Sequence, residues 1–172
     1  MDAPRTPADP AFRADVLAGL SAPIPAVPAR WLYDRRGSEL FEQITELPEY
    51  YPTRTERALL EAHAGDVARI TGKGDAVIEF GSGSSTKTPI LLRAVEPSAY
   101  VPIDISGAFL RDSAAALQEQ FPGLPIYPVE GDFTKPIALP QEVAKVGKLG
   151  FFPGSTIGNL VARTALDLLR AM

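Results

Sequence analysis

One segment constrains this chain more than any other: Val77-Ile78-Glu79-Phe80-Gly81-Ser82-Gly83-Ser84-Ser85-Thr86-Lys87-Thr88. A short apolar run passes into a turn with two glycines, and the turn opens a helical pattern. Gly81 and Gly83 let the backbone approach a ligand closely, and the helix N-terminus behind them presents unpaired N–H groups. Such a unit belongs to a parallel sheet, and the rest of the sequence supplies one. Residues 76–80, 99–103, 125–130 and 148–152 read as strands, although Pro102 weakens the second. Helical patterns alternate with them: one at about 87–95, one opened by Ser106, and one at about 161–171. In the second of these Leu110, Ala114, Leu117 and Phe121 share a face. Alternating β and α elements of this kind predict an α/β chain with a doubly wound parallel sheet.

Upstream the pattern changes. Pro4, Pro7, Pro10, Pro23, Pro25 and Pro28 crowd residues 1–30, which read as an arm with a short helix near 11–20. From Gly37 the spacing of Leu40, Phe41, Ile44 and Leu47 predicts a helix that Pro48 stops. Behind Pro52, the run Thr53-Arg54-Thr55-Glu56 reads as a capping box. Its Thr53 hydroxyl would accept from the Glu56 amide, while the Glu56 side chain reaches back. That helix is expected to reach about Ile70 and to end at Gly72 and Gly74. The chain therefore divides into an arm with helices over 1–72 and a ligand-binding domain over 73–172.

Composition removes several function classes. With 172 residues the chain is the size of one domain, and 17 Lys+Arg against 21 Asp+Glu leave a net charge of −4. No run of like charge reaches five residues, which argues against a nucleic-acid tail or a polybasic membrane patch. Without cysteine there are no disulfides, thiolate metal sites or thiol nucleophiles. His63 is the single imidazole; it sits mid-helix with no partner among the motifs and reads as structural, so no metal site is expected. No apolar stretch is long enough to span a membrane, and MDAPRTPADP lacks a signal-peptide apolar core. The expected location is the cytoplasm.

Three ligand classes suit the glycine turn. A dinucleotide fingerprint needs glycine or alanine where Thr86 stands, and a phosphate-binding P-loop needs glycine at the same place. A P-loop enzyme would also want a magnesium-holding Asp after strand 148–152, where Pro153-Gly154 stand instead. The third class is S-adenosylmethionine, whose sites place an acidic residue two before the first glycine. Glu79 fills that position, and a carboxylate there has an electrostatic reason to face a sulfonium and an ammonium. Asp104 ends the second strand, where a carboxylate can accept from both ribose hydroxyls or simply cap the next helix. Gly131-Asp132-Phe133 follows the third strand. Its Asp could accept from an adenine amino group while Phe133 packs the ring, or the triplet could be a plain turn.

Four blocks carry a resemblance. Tyr33-Asp34-Arg35-Arg36-Gly37-Ser38-Glu39-Leu40-Phe41-Glu42, Leu47-Pro48-Glu49-Tyr50-Tyr51-Pro52-Thr53-Arg54-Thr55-Glu56, the Glu79–Thr88 loop, and Phe152-Pro153-Gly154-Ser155-Thr156-Ile157-Gly158-Asn159 resemble the histidine-specific N-alpha-methyltransferases of ergothioneine biosynthesis. The likeness covers about residues 31–160. It implies a Rossmann-like class I methyltransferase core with S-adenosyl-L-methionine as methyl donor and L-histidine as acceptor. Of the family's sheet the chain holds the first four strands, ordered 3-2-1-4, behind an N-terminal helical arm.

By position, Gly81, Lys87, Asp104, Asp132 and Phe133 match the family's donor site. Tyr33, one tyrosine of the pair Tyr50 and Tyr51, and Asn159 match positions that hold the amino-acid substrate. The other tyrosine of the pair is expected to pack. Tyr33 reads equally as a staple for the N-terminal helices, and Lys87 as a solvated first-turn lysine. Chemistry of this kind asks for no strong general base, and no residue is assigned as one. The family's imidazole-recognising part has no counterpart here, which leaves a second reading: a non-catalytic or truncated domain that binds the donor alone. Strand 148–152 would then be an apolar edge open to self-association or to a companion chain.

Overall fold

The computed structural model describes residues 9–171. The first eight residues of the expected arm, with Pro4 and Pro7, and Met172 lie outside the described residues. The elements follow in the order α1 (Pro10–Leu20), α2 (Arg35–Thr45), α3 (Pro52–Thr71), β1 (Ala76–Phe80), α4 (Thr88–Val95), β2 (Ala99–Asp104), α5 (Gly107–Gln120), β3 (Val129–Glu130), β4 (Lys148–Phe151) and α6 (Ala162–Ala171). Short 3-10 turns lie at Ala29–Leu32, Gln141–Val143 and Thr156–Asn159.

All strand pairings are parallel, in the order β3-β2-β1-β4. The expected 3-2-1-4 sheet of a Rossmann-like core is therefore present. β1 and β2 lie inside it and are covered on both faces, as parallel sheets require. Alternation along each strand splits the core in two. Ala76, Ile78, Ala99, Val101 and Ile103 face Val143 and the loop after β3. Val77 and Tyr100 face Leu91, Leu92 and Val95 of α4 and Leu117 of α5. Leu110, Ala114 and Leu117 are buried on one face of α5, and Phe121 lies just past its end.

Pro102 does sit inside β2. Tyr100 donates its amide to Pro125 and accepts from Tyr127, both at 2.9 Å. Alternation then turns the Pro102 nitrogen toward the same neighbour, where pairing is interrupted. Only Tyr100 with Ile126, and then Ile103 and Asp104 with Val129 and Glu130, are paired on that side. The third strand is thus two residues long instead of the six expected, since Pro125 and Pro128 lack donors on one side and Pro102 lacks one on the other.

Upstream, Asp34 caps α2 by accepting the Gly37 amide at 2.7 Å, so this helix begins two residues before Gly37. Its apolar stripe is only partly covered: Phe41 is half-buried, while Leu40, Ile44 and Leu47 remain exposed. The capping box expected at Thr53–Glu56 does not form. α3 starts at Pro52 with Tyr51 as its N-cap and without a side-chain capping bond. The Glu56 carboxylate is engaged elsewhere, as described below. No described helix is long and apolar enough to cross a membrane.

Candidate functional site

The strands end at one rim, and above it opens a cavity of about 650 Å³. It lies outside the carboxyl ends of the strands, where the order turns from β2 on one side of β1 to β4 on the other, the usual ligand position in open α/β sheets. The size suits a nucleoside joined to an amino acid.

The floor is the loop after β1. Gly81 has φ +71° and Gly83 φ +52°, and a Cβ on Gly81 would stand 3.4 Å from the Phe133 ring. The amides of Gly81 and Ser82 donate to the Ile103 carbonyl at 2.9 and 3.1 Å. The Gly83 amide donates to Asp104 Oδ2 at 2.9 Å, and the other Asp104 oxygen accepts the Ser106 amide at 2.9 Å. Asp104 is therefore not the helix cap, which is Ser106; it ties the glycine loop to the β2–α5 turn and stays on the cavity wall.

Glu79 also reaches the wall, yet is only 1% exposed. One of its oxygens accepts both the Thr88 hydroxyl at 2.7 Å and the Tyr100 hydroxyl at 2.6 Å. Burial raises its pKa to about 7, against the lowering effect of these two hydroxyls and of the Lys87 charge. Burial, with Glu79 adjacent, pushes the Tyr100 phenol well above its ordinary value. No motif marks this hydroxyl in the sequence; Tyr100 reads only as a strand residue.

Asp132 and Phe133 stand at the end of β3. Asp132 Oδ1 accepts the Thr134 amide at 3.0 Å and its hydroxyl at 2.5 Å. Its Oδ2 is buried without a hydrogen-bond partner. Burial alone would raise this carboxyl, but the Thr134 bonds and the charges of Lys135 and Arg30 hold it below its ordinary value. Phe133 meets Phe152 edge-on at 5.3 Å, and Phe152 meets Phe80 at 6.3 Å, which makes one side of the cavity aromatic.

Lys87 is not a solvated first-turn lysine. Its side chain is 15% exposed and ion-paired with Glu56 of α3. The second Glu56 oxygen accepts the Gly154 amide at 2.8 Å. Three sequence blocks thus meet on one carboxylate.

The opposite wall comes from the N-terminal helices. Tyr33, Phe41 and Tyr50 stack edge-on in series, with centroids 6.1 and 5.8 Å apart. Tyr33 serves as a staple and lines the cavity as well; burial, then Tyr50 and Asp104, raise its phenol pKa. Of the tyrosine pair, Tyr50 lines the cavity and Tyr51 does not. As N-cap of α3, Tyr51 points outward and is 66% exposed, so it neither packs nor reaches the site. Asn159 closes the 3-10 turn Thr156–Asn159 on the cavity wall.

Sequence reasoning missed Arg30. It lines the cavity from the arm, is ion-paired with Asp15, and lies 3.9 Å from Asp132. Asp15 also accepts the Trp31 indole N–H at 2.7 Å. A lone arginine between prolines offers no pattern by which to find it. His63 lies exposed on α3, 3.4 Å from Asp66. Among the described residues no group of three His, Cys, Asp or Glu side chains could hold a metal ion.

Comparison with known proteins gives the family and the fold. A family model described as "Histidine-specific methyltransferase, SAM-dependent" matches residues 12–172. The chain is 40% identical over 166 residues to a histidine N-alpha-methyltransferase of Mycolicibacterium smegmatis, covering 94% of this chain and 51% of that protein. It is 41% identical over 167 residues to the protein of that name from Mycobacterium tuberculosis, again with 94% and 51% covered. The chain thus spans about half the length of the curated relatives it matches. A solved structure from Methanococcus maripaludis, described there as a candidate S-adenosyl-L-methionine-dependent methyltransferase, shares the fold. Its TM-score is 0.55 at 18% identity, covering 81% of this chain and 59% of that one.

Proposed function

The chain belongs to the histidine-specific, S-adenosyl-L-methionine-dependent methyltransferases, and from that premise we propose that it carries the donor half of a site that methylates the alpha-amino group of L-histidine, as in ergothioneine biosynthesis. One observation carries the reading. A single cavity joins the Gly81–Lys87 loop and the rim carboxylates to Tyr33, Tyr50 and Asn159.

The residues present fit the donor. Asp132 Oδ2 accepts no hydrogen bond, although the Lys135 and Arg30 charges lie 3.7 and 3.9 Å away, and an adenine amino group would supply it a donor, with Phe133 against the ring. Asp104 has lone pairs left for ribose hydroxyls. The Glu79 carboxylate, when ionised, favours a cation beside it. When bound, the donor supplies a methyl group on a sulfonium, which is a good leaving group. What remains for the protein is to hold the amine uncharged, aligned and away from water. Tyr33, Tyr50 and Asn159 are the groups we assign to the amino-acid end, and no residue is needed as a strong base.

Calorimetric titration with S-adenosylhomocysteine, with and without L-histidine, tests the proposal. Binding strengthened by histidine supports a substrate pocket within this chain. Donor-product binding that ignores histidine supports the second reading, a donor-binding half without turnover. Absence of binding refutes both. Self-association through β4, whose outer side is unpaired among the described strands, stays a separate proposal. Light scattering tests it, and a stable monomer refutes it.

A further inference from the structure

Glu56 stands at the start of α3 and is part of no donor or substrate assignment. Its carboxylate nevertheless makes two contacts that span the cavity. One oxygen pairs with Lys87, 31 residues on, at the end of the glycine loop. The other accepts the amide of Gly154, 98 residues on, in the turn that leads to Asn159. Lys87 and Gly154 both line the cavity. Both partners of the ion pair are largely withdrawn from water, with side-chain exposures of 15% and 29%. A half-buried ammonium facing a ligand cavity is costly to leave alone, and the only carboxylate paired with it among the described residues is that of Glu56. At Gly154 the backbone is left-handed, with φ +83°, and Ser155 follows at φ +58°. Such a turn has little local preference to hold it in place, so an outside anchor matters.

We propose that Glu56 is a positioning residue for the methyl-donor site: it fixes the Lys87 ammonium and the Gly154 turn with one carboxylate, and so sets the two cavity walls at one spacing. This rests on the donor reading above. Lys87 then acts on the ligand only as part of the pair, and the loss of either member has the same consequence. Glutamine at position 56 separates the two contacts. Its carbonyl oxygen can still accept from Gly154, while its NH₂ group faces the ammonium donor to donor and releases it.

The test is a double-mutant cycle on S-adenosylhomocysteine affinity, read by calorimetry for the wild-type chain, Glu56→Gln, Lys87→Met and the double variant, with thermal midpoints recorded for each. Each single variant is expected to weaken binding about tenfold, and the double variant about tenfold as well, because coupled groups are not additive. Lys87→Arg, which keeps the charge and can reach Glu56, is expected to restore most of the affinity. Losses that multiply to about a hundredfold in the double variant would mean that Glu56 and Lys87 act on the ligand independently, and overturn the proposal. So would unchanged affinity in Glu56→Gln or Lys87→Met. If Glu56→Gln does not fold, Glu56→Asp takes its place. One methylene shorter, it keeps the charge but cannot reach both partners, and an affinity equal to wild type would overturn the proposal. Absence of binding by the wild-type chain overturns the donor reading itself, and this inference with it; binding by wild type with an unresponsive cycle overturns this inference alone.

Discussion

Glu79 makes the stability of this chain depend on pH in a direction that surface carboxylates do not. In the folded chain it is buried and titrates at about 7, against an ordinary value of 4.5. A raised carboxyl pKa means that the neutral form is the one the fold prefers. The stability it contributes is therefore complete below about pH 4.5 and is lost as pH rises through 7. Each unit of separation corresponds to about 1.4 kcal/mol, so the loss between pH 5 and pH 8 is about 2–3 kcal/mol. For a chain of this size that lowers the thermal midpoint by roughly 5–10 °C. Asp132 shifts the other way, below its ordinary 3.8, and so acts only beneath this window. The assay is thermal unfolding followed by circular dichroism at half-unit steps from pH 5 to 8, for wild type and Glu79→Gln. Glutamine keeps an acceptor for the Thr88 and Tyr100 hydroxyls and carries no charge to titrate. The wild-type midpoint should fall across the range while the variant stays level. A wild-type midpoint that is flat or rising, or an equal fall in Glu79→Gln, would refute the reasoning.

Three further outcomes are expected. Gly81→Ala places a side chain at φ +71° and 3.4 Å from the Phe133 ring, which costs about 1–2 kcal/mol in urea unfolding and weakens S-adenosylhomocysteine binding in calorimetry; equal stability would show that the loop can yield. Leu92→Ala empties a position only 2% exposed in the α4 face of the core, and urea titration should show a loss of about 2–5 kcal/mol, with less than about 1 kcal/mol counting against the packing described. Tyr50→Phe removes a hydroxyl from the cavity wall and should blunt any effect of L-histidine on S-adenosylhomocysteine affinity, whereas Tyr51→Phe alters an exposed ring and should change nothing; the opposite order would mean that the pair has been assigned the wrong way round.

The sheet was legible because its signals are local. A run such as Ala76–Phe80, apolar throughout and closed by glycines, has few alternatives in an α/β chain. The errors fall where a tertiary contact outbids a local pattern. Thr53-Arg54-Thr55-Glu56 has the form of a capping box, yet the carboxylate finds a half-buried ammonium and a free amide at once, and both are worth more to it than its own helix start. Nothing within four residues of Glu56 reveals this. The strand at 125–130 is shorter than expected for a similar reason: its prolines are visible, but that Pro102 opposes them is knowable only once the register is known. The three rim carboxylates were found because strand ends can be counted, whereas Arg30 reaches the cavity through an irregular arm whose path the sequence does not encode in any period. Tyr50 and Tyr51 are neighbours in the chain and so point apart, and only the helix start at Pro52 decides which of them turns inward.

The hydrogen bond from Gly154 to Glu56 joins residues 98 apart, and this sets a clock on the molecule. During synthesis α3 and the glycine loop leave the ribosome long before residue 154 does, and contacts of such separation are slow to form because chain closure must be achieved before they can contribute. For that interval the cavity has a floor and one wall but no settled width. The same order runs backwards in local unfolding, in which the turn at 153–159 can detach while β1 and β2 stay paired. A ligand that needs both walls can act by mass action only on chains that have completed this step. The small molecule then serves as an inspector of finished folding, and its stabilising effect should be absent from any species in which that turn is still loose.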